Sequence, residues 1–266
     1  MKRIVILTIV LPGLLAAGCN FFRKPDDTSA PRIVREYYDN GRIKSEITAI
    51  GTQRQGITKN YDKNGRLAGE VMYENNMKHG WATNYYPSGK IHSKLMYREG
   101  KKDGDEIWYY ENGKAYRVSP YVEGKLNGIQ KMYYENGKLK AEVPYKNGNP
   151  GTGLKEYTKD GKLITNYPGI VIKEINHLAM NNMYILNLSL SNKSRKVQFY
   201  MDRLIEDVYL AKNTMPMITE NGVAEYVVSV APGGMAVEKL NFIARYKTPL
   251  GNPCIIQKKF NLAVKN

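Results

Sequence analysis

The sequence predicts an all-β protein, an antiparallel β-meander of six 24-residue hairpin repeats followed by a β-sandwich domain. Three observations lead to this fold class. Glycines recur six times at a spacing of 24 residues, each next to a turn-forming residue. Between these glycines, apolar and polar side chains alternate as they do in strands with one covered face. Beyond about residue 168 the repeat stops but the alternation continues, which indicates a second β domain.

Residues 1–18 are typical of an export signal. Two basic residues at positions 2 and 3 precede an apolar run, residues 4–15, that is too short to span a bilayer. The run ends in the segment LAAGC, which resembles the lipobox of bacterial lipoproteins, although Ala16 stands where that box most often has leucine. The resemblance implies cleavage before Cys19 and lipidation of its thiol. The alternative is an ordinary secreted protein with an incidental cysteine near its cleavage site.

The residues after Cys19 predict where the protein is held. Asn20 is not the aspartate that keeps such lipoproteins in the inner membrane of enterobacteria, so we expect a lipid-anchored protein of the bacterial outer membrane, with the leaflet left open. Residues 19–35 are rich in proline and small polar residues and predict a flexible tether. The other cysteine, Cys254, has no partner for a structural disulfide in the chain, and we expect a small buried side chain there rather than a reactive thiol.

The repeat domain, predicted at residues 36–167, is defined by coordinated columns of residues. Turn glycines stand at positions 41, 65, 89, 113, 137 and 161. A tyrosine stands four residues before each, at Tyr37, Tyr61, Tyr85, Tyr109, Tyr133 and Tyr157. A base follows each, at Arg42, Arg66, Lys90, Lys114, Lys138 and Lys162. A second glycine set lies at 56, 80, 104 and 128, and a second tyrosine column at Tyr73, Tyr97, Tyr121 and Tyr145.

Each repeat contains two chain reversals. The dipeptide Asn136-Gly137 predicts a tight two-residue type I′ turn, which needs two residues with positive φ. Segments such as EGKKDG and EGKLNG predict looser return loops. With a two-residue turn at positions 136–137, residues whose numbers sum to 273 lie opposite one another, so that Met132 faces Ala141.

Alternation with period two separates two faces of this sheet. The column of Leu139, Ala141 and Val143 is predicted to be the packing face. The opposite face carries the first tyrosine column and the bases, and we interpret it as a candidate binding face for an acidic protein surface. Its residues are Tyr61, Tyr85, Tyr109, Tyr133, Arg66, Lys90, Lys114 and Lys138. The alternative is structural: the bases solvate strand ends, and the tyrosines shield backbone hydrogen bonds.

The copy GIQKMYYENGKLKAEVPYKNGNPG, residues 128–151, resembles the MORN-type repeat in its bacterial variant. The resemblance extends over about residues 36–165. That variant is commonly associated with the antitoxin component of YwqK-type toxin–antitoxin modules, so the resemblance implies an immunity protein as one alternative function. Eukaryotic MORN repeats imply a second alternative, the binding of anionic lipid or glycan.

The segment 168–266 predicts an immunoglobulin-like β-sandwich. Tyr184, Leu186, Leu188 and Leu190 alternate with polar or smaller residues, and the stretches VAEYVVSV, LNFIARY and CIIQKKFNLAV alternate likewise. Several short strands in about a hundred residues are typical of such a sandwich. Residues 202–210 are compatible with either a short helix or another strand.

The net charge, the histidines and an EF-hand-like segment limit the classes of function that the sequence permits. The formal net charge of +15 permits acidic partners, but acids are interleaved with the bases, and export argues against nucleic acid as a partner. The three histidines have no metal-ligand spacing. The segment NYDKNGRLAGEV fits an EF-hand loop at Asn60, Asp62 and Asn64 but has Val71 where calcium needs a glutamate.

We therefore expect neither an enzyme, nor a cofactor, nor a metal site. The sequence favours a non-catalytic, lipid-anchored envelope protein that acts as a protein-binding or assembly scaffold through its repeat sheet. Membership of a multi-component envelope or secretion machine is the wider expectation, with the partner proteins unidentified.

Overall fold

A computed structural model of the protein describes residues 29–266. The predicted signal peptide, the lipidation site Cys19 and the tether up to residue 28 lie outside the described residues. The chain divides into two compact units, Met1–Lys101 and Lys102–Asn266, and the boundary between them falls inside the repeat region.

The described part of the first unit is a meander of three antiparallel hairpins in which consecutive strands pair. Its strands are β1 (Arg32–Tyr37), β2 (Ile43–Ile50), β3 (Gln53–Tyr61), β4 (Leu67–Glu74), β5 (Met77–Tyr85) and β6 (Ile91–Arg98). The predicted tether is too long by residues 32–35, because the backbone pairs with β2 from Arg32 onwards. The two-residue strand β7 (Lys101–Lys102) lies at the boundary of the units.

The second unit begins with three more hairpins. Their strands are β8 (Gly104–Tyr109), β9 (Ala115–Val122), β10 (Lys125–Leu126), β11 (Gly128–Tyr133), β12 (Leu139–Lys146), β13 (Asn149–Pro150), β14 (Lys155–Tyr157) and β15 (Leu163–Ile164). The predicted six hairpins of the meander are thus confirmed, and each is closed at its turn glycine. The sixth hairpin is short, since β14 and β15 contain only three and two residues.

The turn at Asn136-Gly137 differs from the predicted type I′ turn. Gly137 has a φ of +89°, but Asn136 keeps a negative φ. The Gly137 N–H donates to the Tyr134 carbonyl, and the Tyr134 N–H donates to the Lys138 carbonyl. This is a three-residue loop, a type I turn followed by a glycine bulge. The Asn136 side chain supports it by accepting the Lys138 N–H at 2.9 Å, and the same two backbone hydrogen bonds close all six turns of this kind.

The tight two-residue turns are instead the return loops, which were predicted to be looser. Both central residues have positive φ at Asn75-Asn76, Glu99-Gly100, Glu123-Gly124 and Asn147-Gly148. Lys146 pairs with Asn149 directly across the last of these turns. The return strands that contain Gly56, Gly80 and Gly128 then accommodate two extra residues at a second bulge, and these glycines, like Gly104, have positive φ.

The predicted register holds along the hairpin but not next to the turn, where the bulge lies. Gly128 pairs with Tyr145 and Met132 with Ala141, as the sum of 273 requires. Tyr133, however, lies opposite Leu139, because the three-residue loop shifts the pairing by one position.

The rest of the second unit is a two-sheet sandwich. Its elements are β16 (Ile170–His177), α1 (Leu178–Asn181), β17 (Met183–Leu190), β18 (Val197–Met201), β19 (Thr219–Glu220), β20 (Val223–Ser229), β21 (Met235–Lys247) and β22 (Pro253–Lys265). One sheet has the order β16-β17-β20-β19 and the other β18-β21-β22. Lettered A to G in chain order, these are the ABED and CFG sheets of an immunoglobulin-like fold, which confirms the predicted topology class.

Large apolar side chains from both sheets fill the space between them. Leu186 and Leu188 of β17 face Phe199 of β18 and Phe242 of β21, and all four are fully buried. Cys254 of β22 lies in the same core, where burial raises the pKa of its thiol. The side chain is therefore buried, as we expected from its strand.

The loop of residues 202–210 is neither a helix nor a sheet strand. Ile205 and Tyr209 form an isolated bridge that closes a turn, and Leu204 and Leu210 pack on the outer face of the CFG sheet. Asp207 has a φ of +55°, which interrupts either regular structure. The predicted alternatives are therefore both wrong.

A buried carboxylate joins the last hairpin to the sandwich. Glu156 of β14 is 1% exposed and accepts hydrogen bonds from the Thr248 hydroxyl and the Asn252 amide, both at 2.6 Å. The Tyr167 hydroxyl donates to its other oxygen at 3.2 Å. Because Thr248 and Asn252 lie in the loop between β21 and β22, this cluster fixes β14 to the end of the sandwich.

Candidate functional site

The three hairpins of the first unit have one covered and one open face. On the covered face the register aligns Ile47, Thr58, Val71, Ala82 and Leu95 across five strands. Four of these are buried, and the side chains are small or medium in size. Residues one position away along each strand point to the opposite, open face, because strand side chains alternate.

The open face carries a row of exposed apolar side chains. Ile57 pairs with Met72, and Trp81 pairs with Met96. Their exposed fractions are 43% and 38%, then 50% and 37%. Gly80 lies next to this row, since a Cβ there would be in van der Waals contact with Met72, at 3.5 Å. We call these four residues the apolar row.

Alternating charges border the apolar row. Glu46, Lys59, Glu70, Thr83 and Lys94 align across the strands on the same face. The Lys94 ammonium lies 4.2 Å from the centre of the Trp81 ring, a cation–π contact. The open face therefore combines an apolar strip with both signs of charge, which is the composition of a protein-binding surface rather than of a purely basic one.

The predicted tyrosines of this unit lie on the open face and hold neighbouring hairpins together. The hydroxyls of Tyr61 and Tyr85 donate to Glu46 and Glu70, each at 2.8 Å and each one hairpin back in sequence. The hydrogen bond from Tyr61 and the guanidinium of Arg35 lower the pKa of the Glu46 carboxyl. All four tyrosines that we predicted as binding residues are half-buried, a set that also includes Tyr109 and Tyr133.

The predicted bases are exposed and lie at the turns, on the edge of the sheet, at Arg66, Lys90, Lys114 and Lys138. In the second unit, the ammonium groups of Lys114 and Lys138 donate to the backbone carbonyls of Asn136 and Asp160 in the following turn, each at 3.0 Å. These bases thus carry a contact between successive turns. Their role in binding a partner stays a prediction.

A second basic column was not recognised from the sequence. Arg54, Lys78 and Lys102 lie over the rings of Tyr73, Tyr97 and Tyr121 at 5.4, 5.0 and 4.7 Å. The signal was available, because these bases are also 24 residues apart. The next position in the column is Leu126, so the pattern ends with the third copy.

In the EF-hand-like segment, the carboxylate of Asp62 stabilises the turn in which it lies. The Asp62 carboxylate accepts the N–H groups of Asn64 and Arg66 at 2.8 and 2.9 Å. The backbone hydrogen bond from Arg66 lowers the pKa of this carboxyl. Over residues 29–266, no group of three or more histidine, cysteine or acidic side chains is placed to hold a metal ion. In the same range, no helix has the length and apolarity needed to cross a membrane.

Five of the hairpins match a known family of repeats. The profile of the MORN repeat variant matches five segments: residues 33–49, 54–75, 78–99, 102–123 and 126–147. They cover the first five hairpins and less than half of the chain. The short sixth hairpin and the sandwich lie outside the match. A search of curated proteins found no match to the chain.

Proposed function

We propose that this protein is a non-catalytic scaffold that binds a partner protein through the open face of its first three hairpins, each of which is matched by the profile of the MORN repeat variant. We further propose that a lipid on Cys19 anchors it in the bacterial envelope, at the outer membrane. Support for the anchor is the lipobox-like segment in the sequence, and mass spectrometry of the N-terminal peptide tests it.

The observation that supports the scaffold proposal most strongly is the apolar row. Its positions follow the 24-residue period, since Trp81 lies 24 residues after Ile57 and Met96 lies 24 residues after Met72. The residue type, however, changes in later copies, which have Asp105, Pro120 and Pro144 at these positions, and the column is apolar again at Ile129. The turn glycine, in contrast, is identical in all six copies. In the second and third hairpins the two apolar pairs remain exposed, and an exposed apolar patch of this kind is better explained by contact with another molecule than by packing within the sheet.

The surroundings of the apolar row fit a protein partner. An aromatic residue and methionines at the centre, with charged residues at the border, are the arrangement found in protein interfaces. Tyr61 and Tyr85 widen this surface with half-buried rings whose hydroxyls are already oriented by glutamates. The prediction from the sequence named these tyrosines, and the apolar row adds the area that is removed from water on binding.

The test is a double substitution that keeps the fold and changes the surface. In Trp81→Glu/Met96→Glu, two exposed apolar side chains become acidic. Purified acylated protein is used to capture partners from envelopes, and the captured proteins are identified by mass spectrometry. We expect the substitution to abolish retention of the partner that the unmodified protein retains. A partner retained equally well by both would contradict the proposal.

The matched control makes the same chemical change elsewhere. Met180 and Met235 of the sandwich are 83% and 70% exposed. Met180→Glu/Met235→Glu therefore changes net charge and surface apolarity in the same way, and we expect it to retain the partner. Loss of retention in both double variants would show that the open face has no special role.

The same capture separates the alternatives. Several envelope components favour a multi-component machine, whereas a single toxin-like protein favours the immunity function associated with YwqK-type repeats. Binding through the apolar row is expected to persist at a few hundred millimolar salt, because screening weakens only the charged contacts. Binding to anionic lipid or glycan through scattered bases would be lost under those conditions.

A further inference from the structure

The outer face of the CFG sheet of the sandwich carries a basic cleft. Its volume is about 490 Å³. Its charged and polar lining consists of Arg195, Lys196, Gln198, Tyr200, Arg245 and Lys247. The apolar row belongs to the other unit of the chain, so this is a separate surface that the proposed function does not use.

The strand register explains why these cations meet. Val197 of β18 and Tyr246 of β21 pair and point into the sandwich core. Their neighbours Gln198 and Arg245 also pair, and by alternation they point away from the core. Lys247 shares this outward direction, two residues further along β21. Arg195 and Lys196 come directly before β18. The cleft is therefore lined by two bases at the start of β18 and by two bases at the end of β21.

No carboxylate balances these four cations. The cleft has no acidic lining residue, and within residues 29–266 none of the four bases has an ion pair. Other bases of the chain are engaged: Arg35 and Lys102, for example, contact Glu46 and Glu106 at 2.9 and 2.8 Å. Four like charges in one cleft repel each other, and an anionic ligand relieves that repulsion.

The rest of the lining indicates the class of anion. Pro253 and the ring of Tyr200 add apolar surface to the lining of the cleft. An inorganic phosphate ion would gain nothing from the apolar part of the lining, because it has no apolar surface. The surface of a membrane is too flat to fill a concave cleft. Glutamate and aspartate side chains in a peptide combine carboxylates with aliphatic stems and neighbouring apolar residues. We propose that this cleft binds an acidic peptide segment of a partner protein.

The experiment uses the full chain and a defined probe, a fluorescein-labelled peptide with three repeats of Glu-Glu-Leu. Binding is followed by fluorescence anisotropy at about 50 mM salt, where screening is weak. We expect Arg245→Glu/Lys247→Glu to reduce the affinity by a factor of about ten or more, because two attractive charges become repulsive. An independent variant, Arg195→Ala/Lys196→Ala, removes the other two cations and is expected to give a smaller loss in the same direction.

A matched control excludes an effect of net charge alone. Lys239 and Lys265 are exposed residues of β21 and β22, and by the strand register they lie six and ten residues from Arg245, about 20 Å or more along the strands. Lys239→Glu/Lys265→Glu changes the net charge equally and should leave the affinity within about twofold, since both residues lie farther from the cleft than the screening length at this salt concentration. Equal losses in both double variants, or no binding of the peptide by the unmodified protein, would overturn the proposal.

The two proposals fail independently. Trp81→Glu/Met96→Glu is expected to bind the peptide as the unmodified protein does, because the apolar row is not part of the cleft. The competing explanation is that the cleft binds polyanions in general, and heparin is the probe that tests it. If the unmodified protein binds heparin but not the peptide, the acidic-peptide proposal is wrong, whatever the outcome for the open face.

Discussion

The hairpins of residues 32–164 and the sandwich of residues 170–265 both consist of antiparallel sheets, yet different forces hold them together. In the sandwich, Leu186, Phe199 and Phe242 are fully removed from water between two sheets. In the hairpins, buried positions include Ser45, Thr58 and Ser93, and larger apolar residues remain half exposed on the open face. Hydrophobic burial is therefore the main stabilising term of the sandwich, whereas the hairpins rely more on contacts with the next hairpin.

The contacts of the hairpins follow the period of the sequence. The hydroxyls of Tyr38, Tyr110 and Tyr134 donate to backbone carbonyls 23 residues further on, at 2.7 to 2.8 Å. Each is a single hydrogen bond on a partly buried side chain, so each contributes modestly. Many weak, regular contacts stabilise one region, and a few large side chains stabilise the other. Substitutions in the two regions should differ accordingly.

The largest effect is expected in the sandwich core. Phe242→Ala removes a fully buried ring from between the two sheets and should lower the free energy of unfolding of the sandwich by about 3–5 kcal/mol. Hydrogen exchange of β17 and β21 peptides measures this loss locally. Val237→Ala, on the same strand but 65% exposed, is the control and should change little. A loss below about 1 kcal/mol for Phe242→Ala would remove the contrast between the regions.

An intermediate effect is expected where the two regions meet. Glu156→Ala leaves the Thr248 hydroxyl and the Asn252 amide buried without their acceptor, which should cost about 2–4 kcal/mol. Glu156→Gln keeps an acceptor oxygen for these donors and should cost less than half as much. Denaturant unfolding followed by circular dichroism gives both values. If the two variants are equally stable, the buried carboxylate does not fix β14 to the sandwich.

The smallest effect is expected within the hairpins. Tyr134→Phe removes one hydroxyl and its hydrogen bond to the Tyr157 carbonyl, with an expected loss of about 0.5–1.5 kcal/mol. Both tryptophans, Trp81 and Trp108, lie in hairpin strands, so tryptophan fluorescence during denaturation reports on this region. Tyr116→Phe, on an exposed ring, is the control. If Tyr134→Phe lowers the free energy of unfolding as much as Phe242→Ala does, single tyrosine hydrogen bonds, and not their number, stabilise the hairpins.

The 24-residue period was sufficient to predict the number of hairpins, but the dipeptide rule was not sufficient for their turns. Asn147-Gly148 and Asn221-Gly222 do form two-residue turns with two positive φ values, whereas Asn136-Gly137 has one. The difference arises outside the dipeptide. At Asn136 the side chain accepts the N–H of Lys138, and the backbone of Tyr134 closes a longer loop. Turn propensity describes the central residues, and loop length is set by the strands on either side.

The open-face apolar row was missed for a related reason. Columns of identical residues mark the positions that every hairpin needs, such as the turn glycine and the tyrosine before it. The column of Trp81 changes residue type from copy to copy, through Ile57, Trp81, Asp105 and Ile129, so the repeat pattern does not reveal it. Their exposure depends on which face each strand presents, and that follows from the bulges. The immunoglobulin-like sandwich, by contrast, was predictable because Leu186, Leu188 and Leu190 alternate without a bulge.

The hydrogen bonds from Tyr38, Tyr110 and Tyr134 to the next hairpin have a consequence for how such a protein can evolve. Because each of these hydrogen bonds reaches only the next hairpin, removing or duplicating one 24-residue cassette leaves every remaining turn with an equivalent neighbour. The sheet would shorten or lengthen by two strands, about 9.6 Å, without redesign elsewhere. Recombination between copies that share this period thus changes the number of strands in fixed steps of one hairpin.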